Sequence, residues 1–142
     1  MLQQMRIRRA ALDAIREHAR RDSPYECCGL LIGTPDEVLE AVVTDNVAAD
    51  PLRRYEVSPL DHLAQIRRCR DAAAQGSTGM AVVGVYHSHP HSSPEPSPTD
   101  WEQAFEQFLY LIAGPVERET PMEVRAYQLT AGRFARAELV ES

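Results

Sequence analysis

A mixed α/β fold, with a central and mostly antiparallel sheet flanked by helices, follows from three features of these 142 residues. Apolar runs of strand length alternate with amphipathic stretches of helix length. Gly and Pro punctuate the joins, and the order reads helix, strands, helix, strands, helix, strands with no internal repeat. An apolar content of 44% and a charged content of 25% are ordinary globular values, and the length suits one folding unit spanning 1–142.

From Arg8 to about Arg21, the residues Ala11, Leu12, Ile15 and Ala19 recur at three- and four-residue spacing, the stripe of an amphipathic helix that Ser23-Pro24 ends. CGLLIG, closed by Gly33 and followed by Thr34-Pro35-Asp36, reads as a buried strand leaving into a turn, with Val38 to Thr44 as its hairpin partner. Tyr55-Glu56-Val57 is a further short strand. Ser58-Pro59 then supplies an N-cap and a first-turn proline for a second helix whose inward side is Leu63, Ile66 and Ala73, stopped at Gly76. AVVGVYHSH, Ala81 to His89, is β-branched enough for a central strand, which Pro90 ends because it cannot donate to a ladder. After the proline-rich loop 91–98, Thr99 to about Glu106 reads as a short third helix carrying Trp101, Ala104 and Phe105 inward. Phe108 to Ala113, Val124 to Leu129 and Phe134 to Val140 are the remaining strands.

Several function classes drop out at this stage. There is no apolar run of about eighteen residues and no secretory signal, so neither a membrane span nor export is expected and the cytoplasm is the default location. The net charge of −6 opposes binding to phosphate backbones, so nucleic acid is not an expected partner. The arginines at Arg6–Arg21 and Arg67–Arg70 fall on helical stretches and read as solvated faces. Cys27, Cys28 and Cys69 make an odd count with no CxxC, which argues against a disulfide scaffold or a thiolate zinc site.

Chemistry concentrates at the end of the Ala81–His89 strand. His87 and His89 lie two apart, so both imidazoles project from one face and can share a cation. Zinc in catalytic sites takes three protein ligands of nitrogen and oxygen type plus a water. Asp100 is the best third ligand, since the loop after Pro90 is long enough to fold the start of the third helix back over the histidines, bringing Ser97 with it. Taken singly these residues have plainer readings: Ser97-Pro98-Thr99-Asp100 as a helix cap, each histidine as a core or surface group. His91 is read as an exposed loop histidine outside the site, Trp101 as the third helix's core anchor, and His18 and His62 are given no role.

The pattern His87-Ser88-His89-Pro90, six residues, Ser97, two residues, Asp100 resembles the JAMM signature of the MPN-domain zinc metallopeptidases. Five fixed residues at roughly one in twenty each over about 130 starting points match by chance about 4 times in 10⁵. Pro24-Tyr25-Glu26-Cys27-Cys28-Gly29-Leu30-Leu31 is similar to the family's upstream segment, which places Glu26 at its glutamate, and the likeness runs from about Ile7 to Val140. The resemblance implies a cytidine-deaminase-like architecture and zinc held by His87, His89 and Asp100. It implies Glu26 as general base and acid, and Ser97 as donor to the oxyanion. It also implies hydrolysis of a peptide or isopeptide bond. The minimal loop after Pro90 resembles small bacterial members that trim ubiquitin-like sulfur carriers ending in a flexible Gly-Gly tail. Such a tail would add as a strand at a sheet edge. The alternatives are a non-catalytic MPN scaffold domain or a zinc peptidase acting on other small peptides. A cysteine peptidase built on Cys28 leaves the His87, His89 and Asp100 spacing unexplained, and a zinc deaminase would need a PCxxC segment that is absent. Nothing in the motif sets an oligomeric state.

Overall fold

A computed structural model of the chain describes residues 3–76, 79–102, 104, 108–116 and 122–142. Its elements are β1 (Gln3–Ile7), α1 (Arg9–Asp22), β2 (Cys28–Gly33), β3 (Glu37–Thr44), α2 (Pro59–Ala74), β4 (Ala81–Ser88), α3 (Pro98–Glu102), β5 (Leu109–Gly114), β6 (Glu123–Thr130) and β7 (Arg133–Glu141). The strands close into a barrel in the order β1-β3-β2-β4-β5-β6-β7. Four of these pairings are antiparallel; β1 with β3, β1 with β7, and β4 with β5 are parallel.

The expected mixed sheet is therefore present, but it is closed rather than open. Closure depends on β1, which sequence periodicity does not reveal: only Met5 and Ile7 of its five residues are buried, too few to stand out beside the stronger helical stripe that follows. Parallel pairing of Gln3–Ile7 with Ala137–Glu141 joins the two ends of the chain.

The apolar stripe of α1 is buried as its spacing predicts, through Ala11, Leu12, Ile15 and Ala19, and packs with Met5, Ile7, Leu31, Val38, Leu109 and Leu111 into one core. Leu30, Val85, Tyr110, Ile112 and Tyr127 form a second core on the opposite face. Both faces of β2 and β5 are covered, so all six residues of each are buried, which is why they read as continuous rather than alternating apolar runs. In β4, Tyr86 belongs to the first core and Val85 to the second, so His87 and His89 share the second face by alternation.

Three expectations are corrected. Helix α2 starts as predicted, with Ser58 Oγ accepting the Asp61 N–H and Pro59 in the first turn. Its presumed inward side is exposed, however: Leu63 is 42% and Ile66 37% accessible, Ala73 is exposed, and Cys69 is the buried residue. An apolar groove of about 540 Å³, bordered by Ile66, Cys69, Met80 and Phe108, lies along that side of the helix. Helix α3 is a single turn, and Trp101 is 47% exposed instead of a core anchor; its indole donates to the Gly132 carbonyl at 3.2 Å and meets Phe134 edge-on. Ala104 is half-buried against the second core, and Phe105 lies outside the described residues. Tyr55–Val57 contributes one isolated bridge, Asn46 with Val57, instead of a ladder. Among the described residues no helix is long and apolar enough to cross a membrane.

Gly84 sets how closely β4 approaches β5. It sits opposite Leu109, and a Cβ there would stand 2.0 Å from the Leu109 carbonyl oxygen and 2.8 Å from its carbon. Because the clash is with backbone, it cannot be relieved by a rotamer change. Gly84→Ala is expected to lower the unfolding free energy by about 1–3 kcal/mol, read as an earlier urea midpoint; an unchanged midpoint would show that the two strands separate locally at no cost.

Candidate metal centre and active site

The β2–β4 ladder continues past both strands toward the site. Cys28 pairs with His87, the Ser88 N–H donates to the Cys27 carbonyl at 3.1 Å, and the Cys27 N–H donates to Ser88 Oγ at 2.9 Å. Ser88 thus turns its side chain back to β2 while His87 and His89 point to the other face. The same two bonds place Glu26, one residue before Cys27, at the edge of the histidine pair.

His87, His89 and Asp100 converge. The two Nε2 atoms are 3.1 Å apart, and Asp100 Oδ2 is 3.2 Å from each. Bonds of about 2.0–2.1 Å in a tetrahedron require ligand atoms about 3.3 Å apart, so this triangle matches one face of a zinc tetrahedron. Protonation points the same way. His89 Nδ1 lies 2.9 Å from the Ser93 carbonyl, an acceptor only, so Nδ1 carries the proton and the neutral ring presents a lone pair at Nε2. A second lone pair on His87 Nε2 and the carboxylate oxygen complete three acceptors facing one point, a donor set that suits a cation.

Among the described residues His87 lacks the usual orienting hydrogen bond: its Nδ1 is buried with no partner there. Tyr55 holds the ring instead, stacked on it with centroids 4.1 Å apart and planes at 17°. Burial lowers the His87 pKa and outweighs the raising effect of Asp100. In His89 burial also acts downward, but Asp100 and the Ser93 carbonyl, both of which favour the protonated ring, prevail and the pKa rises. For Asp100 burial acts upward, yet the bonds with His87, His89 and the Ser97 N–H hold the carboxyl well below the usual carboxylate range. Ser97 and Asp100 cap each other: the Ser97 N–H donates to Oδ2 at 2.8 Å and the Asp100 N–H to Ser97 Oγ at 3.1 Å. The capping reading of this segment is met, and the same geometry sets Asp100 Oδ2 facing both histidines.

Glu26 offers a carboxylate oxygen within 4.8 Å of the histidine nitrogens, but among the described residues its side chain makes no hydrogen bond with the triangle. It lines a cavity of about 250 Å³ together with His89, Ser97 and His91. His91 is exposed as predicted, yet it borders the site rather than standing apart. Burial pushes the Glu26 carboxyl up to about 7, with His89 acting downward and Asp100 upward.

Sequence reasoning does not reach two residues that organise this centre. Tyr55 is one. Asn46 is the other: its Nδ2 donates to the Glu26 and Arg54 carbonyls, each at 2.9 Å, and its Oδ1 accepts the Ala48 and Glu56 N–H groups at 3.1 and 3.0 Å. A lone Asn before an irregular segment carries no periodic signal, although its taste for turns is a hint. The Cys28 thiol is buried against Thr44 and the Asp45 and Glu56 carbonyls, and burial pushes it up to about 11, so it is no thiolate nucleophile.

Residues 8–130 match the family described as prokaryotic homologs of the JAB domain. The chain is 41% identical over 120 residues to the desampylase of Haloferax volcanii, covering 80% of this chain and 82% of that protein. It is 32% identical over 108 residues to a probable TtuB-protein conjugate cleaving protease of Thermus thermophilus, covering 76% and 68%. It is 29% identical over 128 residues to the CysO-cysteine peptidase of Mycobacterium tuberculosis, covering 89% and 83%. A JAB1/MPN domain protein from Archaeoglobus fulgidus superposes with a TM-score of 0.57 at 25% identity, over 96% of this chain and all of that one. A barrel that brings the HxHP and SxxD segments together, with the family match over most of its length, assigns the chain to the prokaryotic JAB/MPN family of hydrolases.

Proposed function

We propose that the protein is a zinc-dependent hydrolase acting in the cytoplasm, which cuts the peptide or isopeptide bond after the C-terminal Gly-Gly of a ubiquitin-like sulfur-carrier protein. The observation that carries this reading is the triangle of His87, His89 and Asp100 with Glu26 beside it. The names of its relatives, a desampylase, a TtuB-conjugate protease and a CysO-cysteine peptidase, support the substrate class. Three free cysteines agree with a reducing compartment.

His87, His89 and Asp100 would hold the ion, which when bound supplies a Lewis acid for the scissile carbonyl and lowers the pKa of a water toward ~7. Glu26 takes the proton of the attacking water and returns it to the leaving amine. A carboxyl near 7 is suited to both halves of that duty, since it neither holds nor rejects a proton strongly at neutral pH. Ser97 Oγ already accepts the Asp100 N–H, so its own hydrogen is directed elsewhere and serves the oxyanion.

A second cleft, of about 310 Å³, is lined by Tyr55, Val57, Val85, Phe108 and Tyr110 and ends at the Tyr55 ring that covers His87. Barrel closure argues against a tail joining β4 or its neighbours directly. The extended segment through Val57 is the better edge. The Val47 N–H donates to the Glu56 carbonyl and the Ser58 N–H to the Asp45 carbonyl, and by strand alternation the main-chain groups of Val57 itself turn to the cleft. A Gly-Gly tail laid there as a short added strand would have no side chain to meet the cleft walls.

A carrier extended beyond its Gly-Gly and followed by intact mass should be cut right after the second glycine, cleavage should stop with a zinc chelator, and it should return with added zinc. An intact carrier would move the reading toward peptide substrates; chelator-resistant cleavage would remove the metal from it. Glu26→Gln should keep zinc while kcat falls by about 10²-fold or more, as expected for loss of a general base, whereas His89→Ala should lose both zinc and turnover. An active Glu26→Gln protein would end the assignment of the base.

A further inference from the structure

The cavity of about 250 Å³ beside Glu26 also contains a cation. Arg53 and Leu52 line it together with Glu26, His89 and Ser97. If Glu26 returns a proton to the leaving amine, that amine must depart against Glu26; Glu26 lines two cavities, and the one that also carries His89 and Ser97 receives the leaving group, while the Tyr55–Tyr110 cleft, which Glu26 does not line, holds the tail. Its volume falls below that of pockets for drug-sized ligands and suits a single amino acid.

Charge narrows the choice further. The surroundings are acidic: Asp100 and Asp50 both lie close enough to act on the Glu26 carboxyl. An amino acid leaving with its own α-carboxylate would add a further anion, and Arg53 is the cation on the wall positioned to pair with it. The present partner of Arg53 is Asp50, at 3.8 Å between side chains that are 84% and 45% exposed. Such an exposed pair is weak and readily exchanged for a bidentate carboxylate.

Arg53 is also tied to the base through the main chain. The Glu26 N–H donates to the Pro51 carbonyl at 2.8 Å, and the Arg53 and Arg54 N–H groups donate to the Asp50 carbonyl at 3.2 and 3.0 Å. Asn46 then bridges the Glu26 and Arg54 carbonyls. The turn that carries Arg53 is therefore held in fixed relation to Glu26, as a residue reading the leaving group must be.

We propose that Arg53 recognises the free α-carboxylate of the departing residue, so that the enzyme favours carriers ending in Gly-Gly plus one amino acid over carriers joined to a lysine side chain. This rests on the hydrolase reading above. In the step itself, water adds its hydroxyl to the glycine carbonyl carbon, the C–N bond breaks, and the water's proton goes to the amine. The products are a carrier ending in a glycine carboxylate and a free amino acid.

Three substrates test it: a carrier ending Gly-Gly-Cys with a free carboxylate, the same carrier as its C-terminal carboxamide, and a carrier linked through Gly-Gly to a lysine Nε of a peptide. Wild type should prefer the free acid to the carboxamide by at least about tenfold in kcat/KM, mostly through KM. In Arg53→Met that ratio should collapse toward one, with zinc content equal to wild type, and Arg53→Lys should restore part of it. The same ratio in Arg53→Met as in wild type, or a wild-type ratio of one with the carboxamide well cleaved, overturns the role of Arg53 and leaves the hydrolase reading standing. Failure of wild type to cut any of the three overturns the sulfur-carrier substrate and this inference together, and moves the hydrolase to other peptides.

Discussion

The antiparallel pairing of β2 with β4 is the constraint on which the centre depends. It sets Cys28 opposite His87, and the bonds of Ser88 with both Cys27 main-chain groups carry that register one residue beyond the strands. A slip of one residue would turn His87 and His89 into the α1 core and Ser88 toward the cavity, destroying the cation site in a single step. Register is defended from both sides: Tyr86 is wholly buried with its ring against Gly29, where a Cβ would come within 2.3 Å of it, and its hydroxyl meets His18 Nδ1 at 2.7 Å. Burial lowers the His18 pKa and so favours the neutral ring, which donates from Nε2 to Asp22 and accepts from Tyr86. His18 thus helps to set the face toward which His87 and His89 point.

A centre of this kind is costly to the fold. Glu26, His87, His89 and Asp100 are all buried, and His87 Nδ1 is left without a partner. Each would weigh against stability by an amount comparable to a lost hydrogen bond or more. The compensation is local: Asp100 gathers contacts from two imidazoles and a main-chain N–H, His89 has the Ser93 carbonyl, and Tyr55 covers His87. Burial of Glu26 is the larger effect on its carboxyl, and its raised pKa is the consequence. The same desolvation that costs stability would suit the group to the proton transfer proposed for it.

What could be read from sequence was what lies close along the chain. The His87-to-Asp100 spacing, the Cys28–Gly33 strand, the Ser58-Pro59 start of α2 and the ends of β4 are local patterns with local causes, and the structure reproduces each. Glu26 needed the family likeness, since sixty residues separate it from the histidines and only the β2–β4 ladder joins them. Asn46 and Tyr55 lay beyond reach for the same reason without any motif to announce them. The misreading of α2 has another origin: Leu60, Leu63 and Ile66 have helical spacing, but periodicity reports that a face is apolar and not that anything covers it.

Barrel closure links these observations to substrate. A closed sheet offers a tail no ordinary free edge, so on the proposed reading recognition would move to the irregular segment 46–57, which is held by the hydrogen bonds of Asn46. One end of that segment carries Tyr55 and Val57 into the tail cleft; the middle carries Leu52 and Arg53 into the cavity beside Glu26. Both sides of the scissile bond would then be read by one stretch of chain whose position is set by a single side-chain amide. On the proposed reading the barrel and the helices would fix the metal ligands, while a segment with almost no regular structure would set what is cut, a division of labour that lets specificity change without disturbing the chemistry.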